Sequence, residues 1–254
     1  MKHLPNTLTL ANLFCGCIAI AFILHSQPFL RELNGEKIWI TGTQQAWFAC
    51  IFIFIAAILD LFDGAAARWL GVESAIGKDL DSLADVVSFG VAPSMILMKM
   101  LWTAWMSRPS AIDIPILSLS PAFLLVCFAA LRLAKFNNLE GVQKNFQGVP
   151  VPAIGLFVAS LPLLNFYMPE YAGKAMQNVW LVLLTIGVLC YLMVSKFRFF
   201  SLKVKGFSFK ENKAQYLWLV LSLAAIVFLK WLAIPFSFIL YIVLSLGMQK
   251  SLKA

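Results

Sequence analysis

The sequence predicts an all-α, polytopic transmembrane helical bundle, and three observations carry that expectation. Of the 254 residues, 61% are hydrophobic and only 13% charged, against roughly a quarter charged in soluble domains. The mean hydropathy is +0.85. The apolar residues also gather into repeated runs close to the ~20 residues that cross ~30 Å of hydrocarbon.

In chain order the runs cover about 8–25, 44–62, 86–105, 118–134, 150–168, 177–195, 214–230 and 232–249, about eight spans in one integral membrane domain, 1–254. The first follows a short polar segment, Met1–Asn6, with no small-residue cleavage site, and is expected to be retained. The second ends, and the third begins, in a group of acidic residues. The fourth ends at Arg132 and Lys135, and the fifth opens at Pro150. The sixth runs into a basic segment. As a single helix the last two would reach roughly 50 Å, too long for one crossing, so Lys230 and Pro235 are expected to mark a hairpin. Cys15, Cys17, Cys50, Cys127 and Cys190 all fall inside apolar runs without ligand-like spacing and read as small buried hydrophobes.

The net charge of +8 raises a nucleic-acid partner, and the distribution of the charges excludes it. With both termini cytoplasmic, fourteen basic residues lie in inside segments and six (Arg31, Lys37, Lys99, Arg108, Lys174 and Lys230) on or toward the other side. That asymmetry is the one the positive-inside rule demands. Lys196–Lys213 holds six basic residues interleaved with Phe197, Phe199, Phe200, Phe207 and Phe209, a pattern suited to anionic lipid headgroups. The expected location is a cell membrane, with membrane lipids as partners.

Five of the six aspartates lie within residues 60–85. Carboxylates at membrane depth are costly unless paired, hydrated or metal-bound. Asp60 and Asp63 stand three residues apart, and Gly77, Asp81 and Asp85 recur every fourth position, so each set shares a helix face. Asp79 is expected to point elsewhere. A short turn carrying Gly71 and Ser74 would pack the two helices side by side and bring four carboxylates together, with Arg68 and Lys78 the only local cations. Oxygen ligands without His or Cys favour hard cations, Mg²⁺ or Mn²⁺, and four carboxylates suit two ions acting on a phosphate. A cation path is the competing reading of intramembrane aspartates, but such sites tend toward the midplane on broken helices, and this one lies at one membrane face.

The pattern Asp60-x2-Asp63-Gly64-x2-Ala67-Arg68-x8-Gly77-x3-Asp81-x3-Asp85 resembles the complete signature of the CDP-alcohol phosphotransferases. The resemblance implies a six-helix catalytic core in 1–195, a basic cytoplasmic segment at 196–213, two extra C-terminal helices in 214–254, and commonly a homodimer. It implies that Asp60, Asp63, Asp81 and Asp85 hold two divalent cations, that Asp85 is also the general base, and that Gly64, Arg68 and Gly77 contact the CDP group. Pro5–Asn12 is similar to the segment that opens many members, in which the asparagine matching Asn12 helps hold the nucleotide; capping of the first helix is its other reading. Leu131–Asn137 and Phe146–Pro152 resemble the corresponding stretches of bacterial and archaeal phosphatidylserine synthases, with Lys135 where arginine is usual. That implies CDP-diacylglycerol and L-serine as substrates, with Arg132 and Lys135 toward the serine carboxylate or, alternatively, anchoring the end of the fourth span. Glycerol-3-phosphate, inositol phosphate and choline are the other acceptors the family allows.

Overall fold

Pro5, Thr9, Asn12, Gly16, Ala19 and Ile23 are buried along one face of α1 (Leu4–His25), the three-and-four spacing by which a helix presents a stripe to its neighbours. A computed structural model of the chain describes residues 4–33, 35–41, 43–72, 74–108, 114–138, 148–200 and 213–247. Phe146, Gln147, Asp113 and most of the basic segment, 201–212, lie outside the described residues.

The stripe on α1 packs against α2 (Gln44–Leu70) and against the long helical path that follows it. Thr43 caps α2, its hydroxyl accepting from the Ala46 N–H at 3.2 Å. The helix stops at Gly71, whose φ of 62° is left-handed, as the N–H groups of Gly71 and Val72 turn back onto the carbonyls of Arg68 and Ala67. Ser74 then caps α3 (Ala75–Asp85) by accepting from the Gly77 N–H at 3.1 Å. These two caps set the tight reversal that the sequence placed at Gly71 and Ser74.

From Asp85 the helix continues without a break through a π-helical turn, Val86–Val91, into α4 (Ala92–Met106). The wide turn lies where α1 comes closest. A Cβ on Gly16 would stand 2.9 Å from the Ser88 Cα, and the Ser88 hydroxyl donates to the Asn12 carbonyl at 3.1 Å. Behind it, Phe89 is fully buried against Gly155 of α6 (Val151–Tyr167). A 3₁₀ turn, Ile116–Phe123, leads into α5 (Leu124–Asn137). The short α7 (Pro169–Met176) and α8 (Val179–Val194) follow α6.

α9 (Lys213–Leu229) and α10 (Ala233–Gly247) are joined by a 3₁₀ turn at Lys230–Leu232, where Lys230 has a φ of 48°. The Trp218 indole donates to the Ser237 carbonyl at 2.9 Å. In a straight helix residues so far apart would be separated by roughly 28 Å, so the chain reverses here, as Lys230 and Pro235 led one to expect.

The protein is mostly helical rather than all-α. β1 (Phe29–Leu33) and β2 (Glu36–Ile40) form an antiparallel hairpin with Leu33 opposite Glu36. The Asn34-Gly35 dipeptide between them suits a two-residue turn, and Gly35 has a φ of 79°. Ile38 and Ile40 are buried, and the Thr41 N–H donates to the Asn165 side chain at 3.0 Å. Among the described residues, five helical stretches are long and apolar enough to cross a membrane: Leu4–His25, Gln44–Leu70, Ala75–Met106, Ile116–Asn137 and Gln215–Gly247; α6 and α8 are apolar but shorter. Cys15, Cys50 and Cys190 are buried, whereas Cys17 and Cys127 lie on outward helix faces, so the expectation of buried cysteines holds for three of the five.

Gly148 joins α6 to the end of α8. It has a φ of 75°, its N–H donates to the Phe197 carbonyl at 3.0 Å, and a Cβ there would collide with the Met193 carbonyl. Gly148→Ala should therefore lower stability by about 1–3 kcal/mol or more, read as a lower unfolding temperature in detergent.

Candidate active site

The last turns of α2 carry Asp60 and Asp63, and α3 carries Asp81 and Asp85. One carboxylate oxygen from each of Asp60, Asp63 and Asp81 lies within 4.8 Å of the others. Asp85 stands behind this trio, within electrostatic range of all three. Asp63 and Asp85 are buried, Asp60 and Asp81 half-buried, and Asp79 exposed on the far side of α3. The i, i+3 and i, i+4 spacings thus put the residues read from the sequence onto facing helix surfaces.

Carboxylates this close repel one another in a low-dielectric setting. The cations nearest in sequence offset this only in part, Arg68 lying within electrostatic range of Asp63. Arg68 is exposed, its guanidinium beside Gly64, and the Lys78 ammonium donates to the Asn137 carbonyl at 2.6 Å. An all-oxygen cluster of this size, with two members below the surface, fits hard divalent cations.

α1 forms the adjoining wall. The Thr9 hydroxyl donates to Asp63 at 2.7 Å, and the fully buried Asn12 amide donates to Asp85 at 3.4 Å. Thr9 is the residue that sequence reasoning missed. Its signal was present, since it lies three residues before Asn12 and four after Pro5 on the buried stripe of α1. Thr9→Val should raise the metal concentration needed for half-maximal activity roughly tenfold while Thr9→Ser stays near wild type, because a group that orients a ligand costs about 10–100-fold when lost; a metal titration of activity checks both.

An open cleft of about 460 Å³ runs from these carboxylates to the chain surface, lined among others by Asn6, Thr9, Asp63, Gly64, Arg68, Gly77, Lys78 and Asp81. A Cβ on Gly77 would meet the Asn6 side-chain oxygen at 3.2 Å and the Ser74 hydroxyl at 3.1 Å, so the missing side chain keeps the cleft open beside the cap of α3.

The end of α5 is tied to α3. The Asn137 amide donates to the Ser82 hydroxyl at 2.7 Å while Lys78 holds the Asn137 carbonyl. Arg132, on the same helix, lies within electrostatic range of Asp85 and of Tyr241 on α10 (Ala233–Gly247). The Arg132 Nε is buried and has no hydrogen-bond partner among the described residues. Lys135, one turn on, is exposed and makes no hydrogen bond or ion pair among the described residues.

The carboxylates sit far from the β-hairpin. Twenty residues of α2 separate Thr43 from Asp63, about 30 Å along the helix axis, close to the thickness of a hydrocarbon core. The site therefore occupies one end of the bundle and the hairpin the other.

The family model described as CDP-alcohol phosphatidyltransferase matches residues 2–188. The chain is 34% identical over 203 residues to the CDP-diacylglycerol–serine O-phosphatidyltransferase of Bacillus subtilis strain 168, covering 78% of this chain and 90% of that protein. It is 30% identical over 184 residues to the archaetidylserine synthase of Methanothermobacter thermautotrophicus, covering 72% and 67%. To the CDP-diacylglycerol–serine O-phosphatidyltransferase of Helicobacter pylori strain 26695 it is 29% identical over 201 residues, covering 78% and 72%.

Proposed function

The chain belongs to the CDP-alcohol phosphatidyltransferase family, and from that premise we propose that it transfers a phosphatidyl group from CDP-diacylglycerol to L-serine, releasing CMP. The observation that carries this reading is the convergence of Asp60, Asp63 and Asp81, with Asp85 and Arg132 behind them, at one end of a membrane bundle. The names of the relatives support serine as acceptor.

In this reading the chain crosses the membrane eight times, as a homodimer, with both termini and the active site on the cytoplasmic side. CDP-diacylglycerol keeps its acyl chains in lipid and lays its nucleotide in the cleft along Gly64, Arg68 and Gly77. Asp60, Asp63, Asp81 and Asp85 would hold two divalent cations, Mg²⁺ or Mn²⁺, which would supply charge stabilisation for a phosphate centre. Thr9 orients Asp63, and Asn12 orients Asp85.

Arg132 takes the serine carboxylate, for which a guanidinium fork is well shaped, and Lys135 adds positive charge at the entrance. Asp85 accepts the proton of the serine hydroxyl. The serine oxygen forms a bond to the phosphorus that carries diacylglycerol, the bond from that phosphorus to the CMP oxygen breaks, and CMP leaves with the electron pair. Arg68, at the cleft mouth, offsets the charge that develops on CMP.

The test is CMP release by purified protein in detergent with CDP-diacylglycerol and Mg²⁺ or Mn²⁺. L-serine is compared with glycerol-3-phosphate, inositol phosphate, choline and no acceptor. Serine-dependent release, with phosphatidylserine as product and loss on chelation, is expected. Release with a different alcohol would overturn serine as the acceptor, and no release from folded protein would overturn the transferase reading.

A further inference from the structure

The β-hairpin end of the bundle, away from the carboxylates, holds a second polar cavity. It measures about 450 Å³ and is lined among others by Glu36, Lys37, Arg108, Lys174, Gln177 and Asn178. Its walls are tied together in pairs. The Lys174 ammonium of α7 meets the Glu36 carboxylate of β2 at 2.7 Å. Gly173 lets α7 sit against β2, since a Cβ there would stand 2.6 Å from the Ile38 Cγ2. The Ser107 hydroxyl at the end of α4 donates to the Gln177 carbonyl at 3.2 Å, and Trp39 of β2 meets Trp102 of α4 edge-on at 5.7 Å.

The charge lining this cavity is unbalanced. Three cations face one carboxylate, and that carboxylate is taken by Lys174. Lys37 is exposed and forms no ion pair among the described residues. The Arg108 guanidinium lies over the Trp105 ring, 4.3 Å from its centroid, which holds it in place without using its N–H groups. The Gln177 amide nitrogen is buried without a hydrogen-bond partner among the described residues. Asn178 caps α8, accepting from the N–H groups of Trp180 and Leu181 at 3.0 and 3.4 Å, so the positive end of that helix lies at the same wall.

Unused donors around a net positive charge make a receptor for an anion, and a guanidinium fork beside ammonium groups suits phosphate oxygens. The surroundings point to the source of that phosphate. Trp180, 72% exposed in the first turn of α8, gathers at this end with Trp102 and Trp105 of α4, as aromatic residues do where hydrocarbon meets water. Basic pockets between membrane helices take lipid head groups.

We propose that this cavity holds the phosphate of an anionic phospholipid from the leaflet opposite the candidate active site. Arg108 and Lys37 are its main contacts, and Glu36 keeps Lys174 beside them. The site goes beyond the transferase reading and does not depend on it.

The test is the unfolding temperature of delipidated protein in dodecyl maltoside, titrated with phosphatidylglycerol, phosphatidylcholine or inorganic phosphate. Wild type should show a saturable rise with phosphatidylglycerol and none with phosphatidylcholine. The double variant Lys37→Gln, Arg108→Gln should need roughly tenfold more phosphatidylglycerol for half of that rise, because each basic residue near a lipid surface contributes severalfold. Asp63→Asn should keep the wild-type response, which separates this cavity from lipid bound in the catalytic cleft. CMP release by the double variant should stay within about twofold of wild type.

An equal response to both lipids, an unchanged titration in the double variant, or a response lost in Asp63→Asn would overturn the proposal. A rise with inorganic phosphate as large as that with phosphatidylglycerol, and controlled by the same two residues, would make the ligand a soluble anion and overturn the lipid source. Should the double variant fail to fold, Lys37→Gln alone changes only an exposed side chain; it should shift the phosphatidylglycerol titration about threefold, and no shift would count against the proposal. All of these outcomes leave the transferase reading standing, whereas a wild type that binds phosphatidylglycerol here but releases no CMP would overturn that reading alone.

Discussion

Asp85→Asn should lower turnover roughly a thousandfold or more, the scale on which a positioned general base contributes, while the protein still binds CDP-containing ligand. The substitution keeps the shape of the side chain and its neighbour Asn12, and removes the ability to take a proton. Asp85 is also one of the four proposed ligands, but it is buried outside the trio Asp60–Asp63–Asp81 whose oxygens converge, so metal-dependent stabilisation should weaken less than in Asp63→Asn and survive better than catalysis does. Single-turnover CMP release and nucleotide binding, measured on the same preparation, separate the two. A near-normal rate would remove Asp85 from the role of base.

Asp63→Asn should fail at an earlier step. Asp63 supplies one of the three converging oxygens and is fixed by the 2.7 Å hydrogen bond from Thr9. The amide can still accept that bond, so the fold is expected to hold, but the ligand charge is lost. Disturbing only a ligand's supporting partner costs about 10–100-fold in metal affinity, and loss of the ligand charge itself should cost more. Activity should fall below detection at ordinary Mg²⁺ concentrations, and the rise in unfolding temperature on adding Mn²⁺ should disappear. Asp79→Asn, on the exposed side of α3, should change neither quantity by more than about twofold.

The site was legible because its determinants are local. Spacings of three and four fix which side chains share a helix face, and Gly71 and Ser74 stop and restart the chain by caps that depend on a few neighbouring residues. Arg132 could be read only as far as its segment. The packing of its helix against α3 rests on the tie between Asn137, Ser82 and Lys78, which joins residues more than fifty apart.

The β-hairpin was legible and passed over. High overall hydropathy favoured helices everywhere, and the Asn34-Gly35 turn signal between two short runs weighed less than it should have. The π-helical turn was not legible. Val86–Val91 would suit an ordinary helix, and the wide turn sits where α1 approaches at Gly16 and Ser88 bonds to Asn12.

That turn has a consequence for how the protein can change. A wide turn holds one residue more than an α-helical path would need, so it absorbs that residue while keeping the carboxylates of α3 in phase with the buried face of α4. Deleting a single residue within Val86–Val91 would leave the two halves close to their present phase, whereas deleting one from the regular winding of α3 or α4 would rotate one half against the other by about 100°. Either Asp81 and Asp85 would leave the cluster, or Leu97, Met100 and Leu101 would leave the core. The turn is thus a phase adjuster between two surfaces with unrelated demands, one tuned to bind charge and the other to pack in the core, and conservative side-chain substitutions on either half are free to accumulate as long as the phase between them is kept.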